Sequence, residues 1–122
     1  MKKCKTLIFL SFLLMAISCQ KNLLWVDDVE QLLTEWTNKS WENRDSGITR
    51  TYYWEYPRRF ADSDSSWGWW ILPISGVLRE THFKGKDTLV TDYKIISIKK
   101  DLLIKQRLDD STAPKITYHV IK

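Results

Sequence analysis

Cysteine, histidine, glycine and proline are all scarce in this chain, and each shortage excludes something. The 122 residues hold two cysteines, two histidines, four glycines and three prolines. Both cysteines, Cys4 and Cys19, lie near the start, so nothing beyond them can form a disulfide, a zinc–thiolate site or a cysteine nucleophile. A domain built from the remainder rests on its apolar core. His82 and His119 show neither His-x-His nor His-Glu-x-x-His spacing, and each falls opposite the more apolar set of its strand. Both are expected to face solvent or to make a pairwise polar contact, and no metal site is expected. No serine sits in Gly-x-Ser-x-Gly, no glycine-rich phosphate loop is present, and Ile74-Ser75-Gly76 reads as a turn after Pro73. Glu55 and Glu80, on separate strands, are the nearest approach to paired carboxylates, and nothing else supports them as a catalytic pair. No catalytic residue is assigned, and the chain is expected not to be an enzyme.

What the sequence does contain begins at its first residue. Met1-Lys2-Lys3-Cys4-Lys5, the mostly apolar Thr6 to Ile17, and Ser18-Cys19 have the layout of a bacterial lipoprotein signal. The apolar run falls short of the roughly 20 residues that a membrane-spanning helix needs. Ala16-Ile17-Ser18-Cys19 resembles a lipobox, with alanine where leucine is more usual; an uncleaved anchor and an ordinary signal peptide are the alternatives. The resemblance implies cleavage before Cys19 and a covalent diacylglycerol with acyl groups such as palmitate on that residue. No other cofactor is expected.

Processing changes the charge argument. Losing the first 18 of 122 residues removes Lys2, Lys3 and Lys5 and no acidic residue, so the net charge falls from +4 to +1. A nucleic-acid partner needs a basic face, and here the charges are balanced and interspersed. The expected organisation is a signal peptide at 1–18, a lipidated tether at 19–26 and a single β-rich domain at 27–122. At roughly 3.5 Å per residue, the tether holds that domain within about 25 Å of a bilayer. Leu23, Leu24 and Trp25 can rest among lipid headgroups or pack beneath the domain. No acidic run follows Cys19, and Gln20 is not the aspartate of inner-membrane retention; both comparisons point to the periplasmic leaflet of the outer membrane.

Within the domain, Asp27 or Asp28 can cap a helix, with Glu30 completing a capping-box-like pair. Val29, Leu32, Leu33 and Trp36 then form one stripe on a helix ending near Asn38, read as a lid on a sheet. Lys39 to Gly47 is polar apart from Trp41 and reads as a loop. Strands are expected at Ile48 to Tyr56, where Arg50 breaks the apolar face, and at Trp67 to Leu72, Val77 to Phe83, Thr88 to Ile98, Leu102 to Leu108 and Ile116 to Ile121. Ala61 to Ser66 reads as an acidic, serine-rich loop. Short links between successive strands favour antiparallel neighbours.

Tyr93-Lys94-Ile95-Ile96-Ser97-Ile98, the Lys-Lys-Asp turn, Leu102-Leu103-Ile104, the Asp109-Asp110 loop and Ile116-Thr117-Tyr118 resemble the C-terminal meander of small lipocalin-like lipoproteins of the Bacteroidetes type. That family usually opens with Gly-x-Trp, and this chain has Thr34-Glu35-Trp36. The expected fold is mainly β: an antiparallel meander forming a small lipocalin-like barrel of about six strands, closed or incomplete, with one short N-terminal helix. About eight strands are needed to hold a small ligand, so a six-stranded body is expected to fill its own middle.

All seven tryptophans lie beyond Cys19. Tyr52, Trp54 and Tyr56, with Trp67 and Trp69, form the candidate aromatic binding face, suited to flat contact with a sugar ring or a protein partner. Core and covered edge are the structural alternative for the same residues. The expected role is a membrane-anchored, non-catalytic binding or scaffolding module of the cell envelope. Its partners are the membrane through the anchor and an envelope protein, a glycan or a small apolar ligand. An inhibitor or immunity lipoprotein against a toxin or wall hydrolase, and a carrier of a small apolar ligand, are the alternatives.

Overall fold

A computed structural model of the chain describes residues 26–121. The signal at 1–18, Cys19 and all but the last residue of the tether lie outside the described residues. The domain is one helix, α1 (Val26–Thr34), followed by eight strands: β1 (Asn38–Asn43), β2 (Ile48–Tyr53), β3 (Arg59–Asp62), β4 (Trp67–Ile74), β5 (Val77–Lys84), β6 (Asp87–Ile98), β7 (Leu102–Arg107) and β8 (Ile116–Val120). Every strand pairs antiparallel with the next, and β1 closes on β8 through Trp41 opposite Val120 and Glu42 opposite His119. The barrel is therefore complete, with eight strands rather than six.

The two additional strands, β1 and β3, come from stretches that read as loops. In β1 only Lys39 and Trp41 are buried, and in β3 only Phe60 and Asp62. Two of those four inward residues are charged, so neither strand shows the apolar alternation by which a half-buried strand is recognised.

Elsewhere the period of two sorts the side chains cleanly. Tyr52, Trp70, Leu78, Ile95, Leu103 and Tyr118 point inward and join Trp41 and Phe60 in one core. A bulge between Ile95 and Ser97 breaks the alternation of β6, so that Ile98 rather than Ser97 is buried. A second irregularity, between Ile71 and Ile74, accommodates Pro73, which has no N–H to give to a ladder. Gly68 faces inward where a Cβ would lie 2.0 Å from the Thr81 carbonyl oxygen and 2.7 Å from the Phe60 ring. Glycine is required there because neighbouring backbone and an aromatic ring already occupy the space.

The helix closes the end of the barrel at which β2, β4 and β6 finish. Val29 and Leu33 are buried in the core, as the stripe implied, but α1 stops at Thr34 instead of near Asn38. Asp27 and Asp28 lie in its first turn, where their charge favours the helix dipole. Glu35 and Trp36 take positive φ, 51° and 64°, and turn the chain into β1. The Thr34 hydroxyl donates to the Glu30 carbonyl at 2.8 Å and accepts from the Trp36 N–H at 3.2 Å. Lys39 donates to the Leu32 carbonyl at 2.9 Å and to the Lys100 carbonyl at 2.6 Å, tying the helix terminus to the β6–β7 turn. The first barrel strand thus carries Trp41 as its buried aromatic. Trp36 sits before the strand, edge-on to Trp54 at 4.6 Å.

Candidate functional site

The centre of the barrel is polar, although its strands read as apolar inside. Arg50 on β2, Asp62 on β3, Glu80 on β5 and Lys105 on β7 all point inward and are buried. Arg50 donates from Nε and Nη2 to both Asp62 oxygens, at 2.6 and 2.7 Å, and from Nη1 to Glu80 at 2.6 Å. Lys105 Nζ donates to the two Glu80 oxygens at 2.9 and 3.0 Å, and the Tyr52 hydroxyl donates to Glu80 as well. Two cations and two carboxylates cancel, and the rings of Tyr93 and Tyr118 lie 4.0 and 5.1 Å from the ammonium.

Burial alone would raise the Glu80 carboxyl, but Lys105, Arg50 and the Tyr52 hydroxyl outweigh it and hold its pKa down to about 2. For Lys105, burial is the stronger influence and pushes its pKa down to about 8 against the pull of Glu80. Burial and the Glu80 charge push Tyr52 well above the ordinary tyrosine range. The network is a set of saturated ion pairs enclosed by aromatic rings. It fills the barrel together with Trp41, Phe60 and Trp70.

At the barrel end opposite α1, a pocket of about 230 Å³ is lined in part by Arg50, Asp62, Asp64, His82, Lys84 and Tyr118. His82 faces into the barrel here rather than to solvent, and takes the pairwise polar role with Ser66 that was the other expectation. Gly68 and Trp70 form the inward set on β4 and Gly68 pairs with His82, so the period of two places His82 inside. Burial holds the imidazole below its ordinary value, with Arg50 adding to the effect.

His82 Nε2 lies 2.9 Å from Ser66 Oγ, and the Ser66 hydroxyl is 2.5 Å from Asp64 Oδ1. Where the serine proton is given to Asp64, Nε2–H donates to Oγ, the reverse of the polarity by which a histidine activates a serine nucleophile. Among the described residues, no group of three His, Cys, Asp or Glu side chains is placed to hold a metal ion. Glu55 is exposed, outside the strands, while Glu80 is fully engaged inside the barrel.

The five residues of the expected aromatic face go to three places. Tyr52 is 0% exposed inside the barrel. Trp54 and Tyr56 lie beyond β2, beside α1, with the Arg58 guanidinium 3.8 and 5.0 Å from their ring centres. Arg58 also pairs with Glu30 of the helix. Only Trp67 and Trp69 stand on the outer wall. The alternation that makes Tyr52 core sends Tyr53 outward, so this tyrosine rather than Tyr52 shares their side of the sheet.

On that wall Trp67 is 5.2 Å from Trp69 and 4.8 Å from Phe83 by ring centres. Arg59, paired with Trp69 across β3 and β4, lies 4.1 Å from the Tyr53 ring. Ile71 continues the strip, and Trp67 is 44% exposed. Outward positions on β2, β3, β4 and β5 thereby form a band of Tyr53, Arg59, Trp69, Trp67 and Phe83. Comparison with known proteins finds no matching family model, curated protein or solved structure.

Proposed function

We propose that the protein is a lipid-anchored envelope module that binds through the outside of its barrel, with the Tyr53, Trp69, Trp67 and Phe83 band as the contact surface for a glycan or an envelope protein. The anchor rests on Lys2 to Cys19. The contact surface rests on one observation: the interior is taken up by aromatic side chains and closed ion pairs, while large aromatic surface remains on the outer wall. Flat aromatic surface with adjacent polar groups suits sugar rings and protein contacts. A carrier role loses support, because an apolar guest would have to displace Trp70, Tyr52 or the Glu80 ion pairs. The inhibitor reading uses the same external surface and differs only in the identity of the partner.

The experiment has two readouts. Labelling with radioactive palmitate should mark the wild-type chain and not Cys19→Ser, which should be released or misprocessed; equal labelling and membrane retention of both would remove the anchor. Trp67→Ala and Trp69→Ala should lose pull-down on peptidoglycan or on an envelope extract while keeping the wild-type melting temperature. Loss of stability together with binding would assign these rings to structure instead.

A further inference from the structure

β6 is twelve residues long, and its two neighbours cover different parts of it. β5 pairs with it from Asp87 to Lys94, whereas β7 begins to pair only at Tyr93. The last main-chain bond on the β7 side runs from the Leu108 N–H to the Asp92 carbonyl, at 2.9 Å. Asp87 to Thr91 therefore form an open sheet edge at the barrel end opposite α1.

Ladder geometry identifies the groups on this edge. N–H and C=O of one strand residue point the same way, and alternate residues point to opposite neighbours. Asp92 points to β7, so Thr88 and Val90 also point away from β5. The two-residue turn Gly85-Lys86, with Gly85 at φ +63°, agrees, since the closing pair Lys84 and Asp87 bond each other.

This edge lacks the usual protection. Natural edges are blunted by lysine, proline, bulges or covering loops. Thr88-Leu89-Val90-Thr91 has no lysine, proline or bulge, and Leu89 and Val90 are 62% and 57% exposed. Beside it lies a cleft of about 620 Å³ lined by Arg79, Leu89, Tyr93, Arg107 and Leu108 among others. The flanking charges are already paired, Arg79 with Asp92 at 2.8 Å and Arg107 with Asp109 at 3.1 Å. What the cleft offers an occupant is main-chain hydrogen bonding and apolar side chains rather than free charge.

We propose that the occupant is a second copy of this chain, its β6 antiparallel to the first across a two-fold axis at Leu89. This centre pairs both open residues with open residues: Thr88 of each copy faces Val90 of the other, giving about four main-chain hydrogen bonds. Centring on Val90 would oppose Thr88 to Asp92, whose carbonyl already belongs to Leu108. In the Leu89 register the two leucines meet in a non-hydrogen-bonded pair, and the β5–β6 hairpins join into one sheet.

The test uses the full chain, extracted in mild detergent. Leucine 89 across the axis has a Cα separation of about 4.5 Å, within the span of a disulfide. Leu89→Cys should therefore give a disulfide-linked dimer on mild oxidation, beyond whatever the parent chain shows. Ile74→Cys, at a position 63% exposed on β4, should not. Val90→Pro removes an N–H that the barrel does not use, so it should leave the melting temperature of the isolated barrel unchanged. It should weaken dimerisation about tenfold or more in sedimentation, by deleting two of the four bonds. A chain that stays monomeric at about 100 µM, or a Leu89→Cys variant that cross-links no better than Ile74→Cys, would overturn the proposal. So would a persistent monomer whose Thr88 and Val90 amide signals shift only on adding an extended peptide, which would make the edge a peptide site.

Discussion

Glu80→Gln tests the buried network most directly, because Glu80 accepts from Arg50, Lys105 and Tyr52 at once. The amide keeps the shape of the side chain but turns one acceptor oxygen into a donor facing other donors. It also leaves Arg50 and Lys105 with Asp62 as the only anion in the network, an uncompensated positive charge inside the barrel. Breaking a buried ion pair in this way costs about 3–5 kcal/mol. An independent route gives a similar figure: the drop of the Glu80 pKa from 4.5 to about 2 corresponds to about 3 kcal/mol at about 1.4 kcal/mol per pH unit. For a domain of this size, that lowers Tm by at least about 12 °C.

Thermal unfolding followed by circular dichroism at several pH values is the assay. A carboxyl whose pKa is lowered on folding stabilises the fold above its unfolded value and loses that contribution as pH falls toward the folded value. Wild-type stability should therefore decline between pH 4.5 and about 2 through Glu80, and this part of the decline should be missing from Glu80→Gln. Adding Lys105→Met restores neutrality and should recover about 1–3 kcal/mol relative to the sum of the single losses. A loss below about 1 kcal/mol for Glu80→Gln, or strict additivity with Lys105→Met, would refute the view that these charges are paired away from water.

Two further substitutions probe the packing. Gly68→Ala sets a methyl group 2.0 Å from the Thr81 carbonyl, and since the backbone must move to admit it, the cost should reach at least the upper part of the about 1–3 kcal/mol usual for overpacking, measured by urea denaturation. Trp41→Phe keeps a ring in the core but removes the indole N–H that donates to the Leu33 carbonyl at 3.0 Å. It should cost about 1–3 kcal/mol and speed amide exchange in α1 ahead of the strands; uniform acceleration would show that the indole does not hold the helix.

The sequence by itself determined the antiparallel meander, the helix stripe of Val29 and Leu33, and the confinement of both cysteines to the first 19 residues. Each of these depends on local periodicity, on connection length, or on the presence of a residue type. It also supplied the motif around Cys19, which is read from consecutive residues and needs no fold. Arg50 was visible as a break in the apolar face of its strand, and that break was the one local trace of the charge network.

Closure of the barrel, the location of Tyr52 and the inward turn of His82 were decided only by tertiary structure. A polar side chain can occupy an inward position when its partner arrives from a distant strand, as Glu80 reaches Arg50 and Lys105. Such pairing removes the hydrophobic pattern that marks a strand, which is why β1 and β3 were hidden. The same folding divides adjacent aromatics: Tyr52 is sealed inside the barrel while Tyr53 joins Trp67 and Trp69 on its wall. The open edge at Thr88 and Val90 is tertiary in origin too, since it exists only because β7 leaves β6 partway along its length.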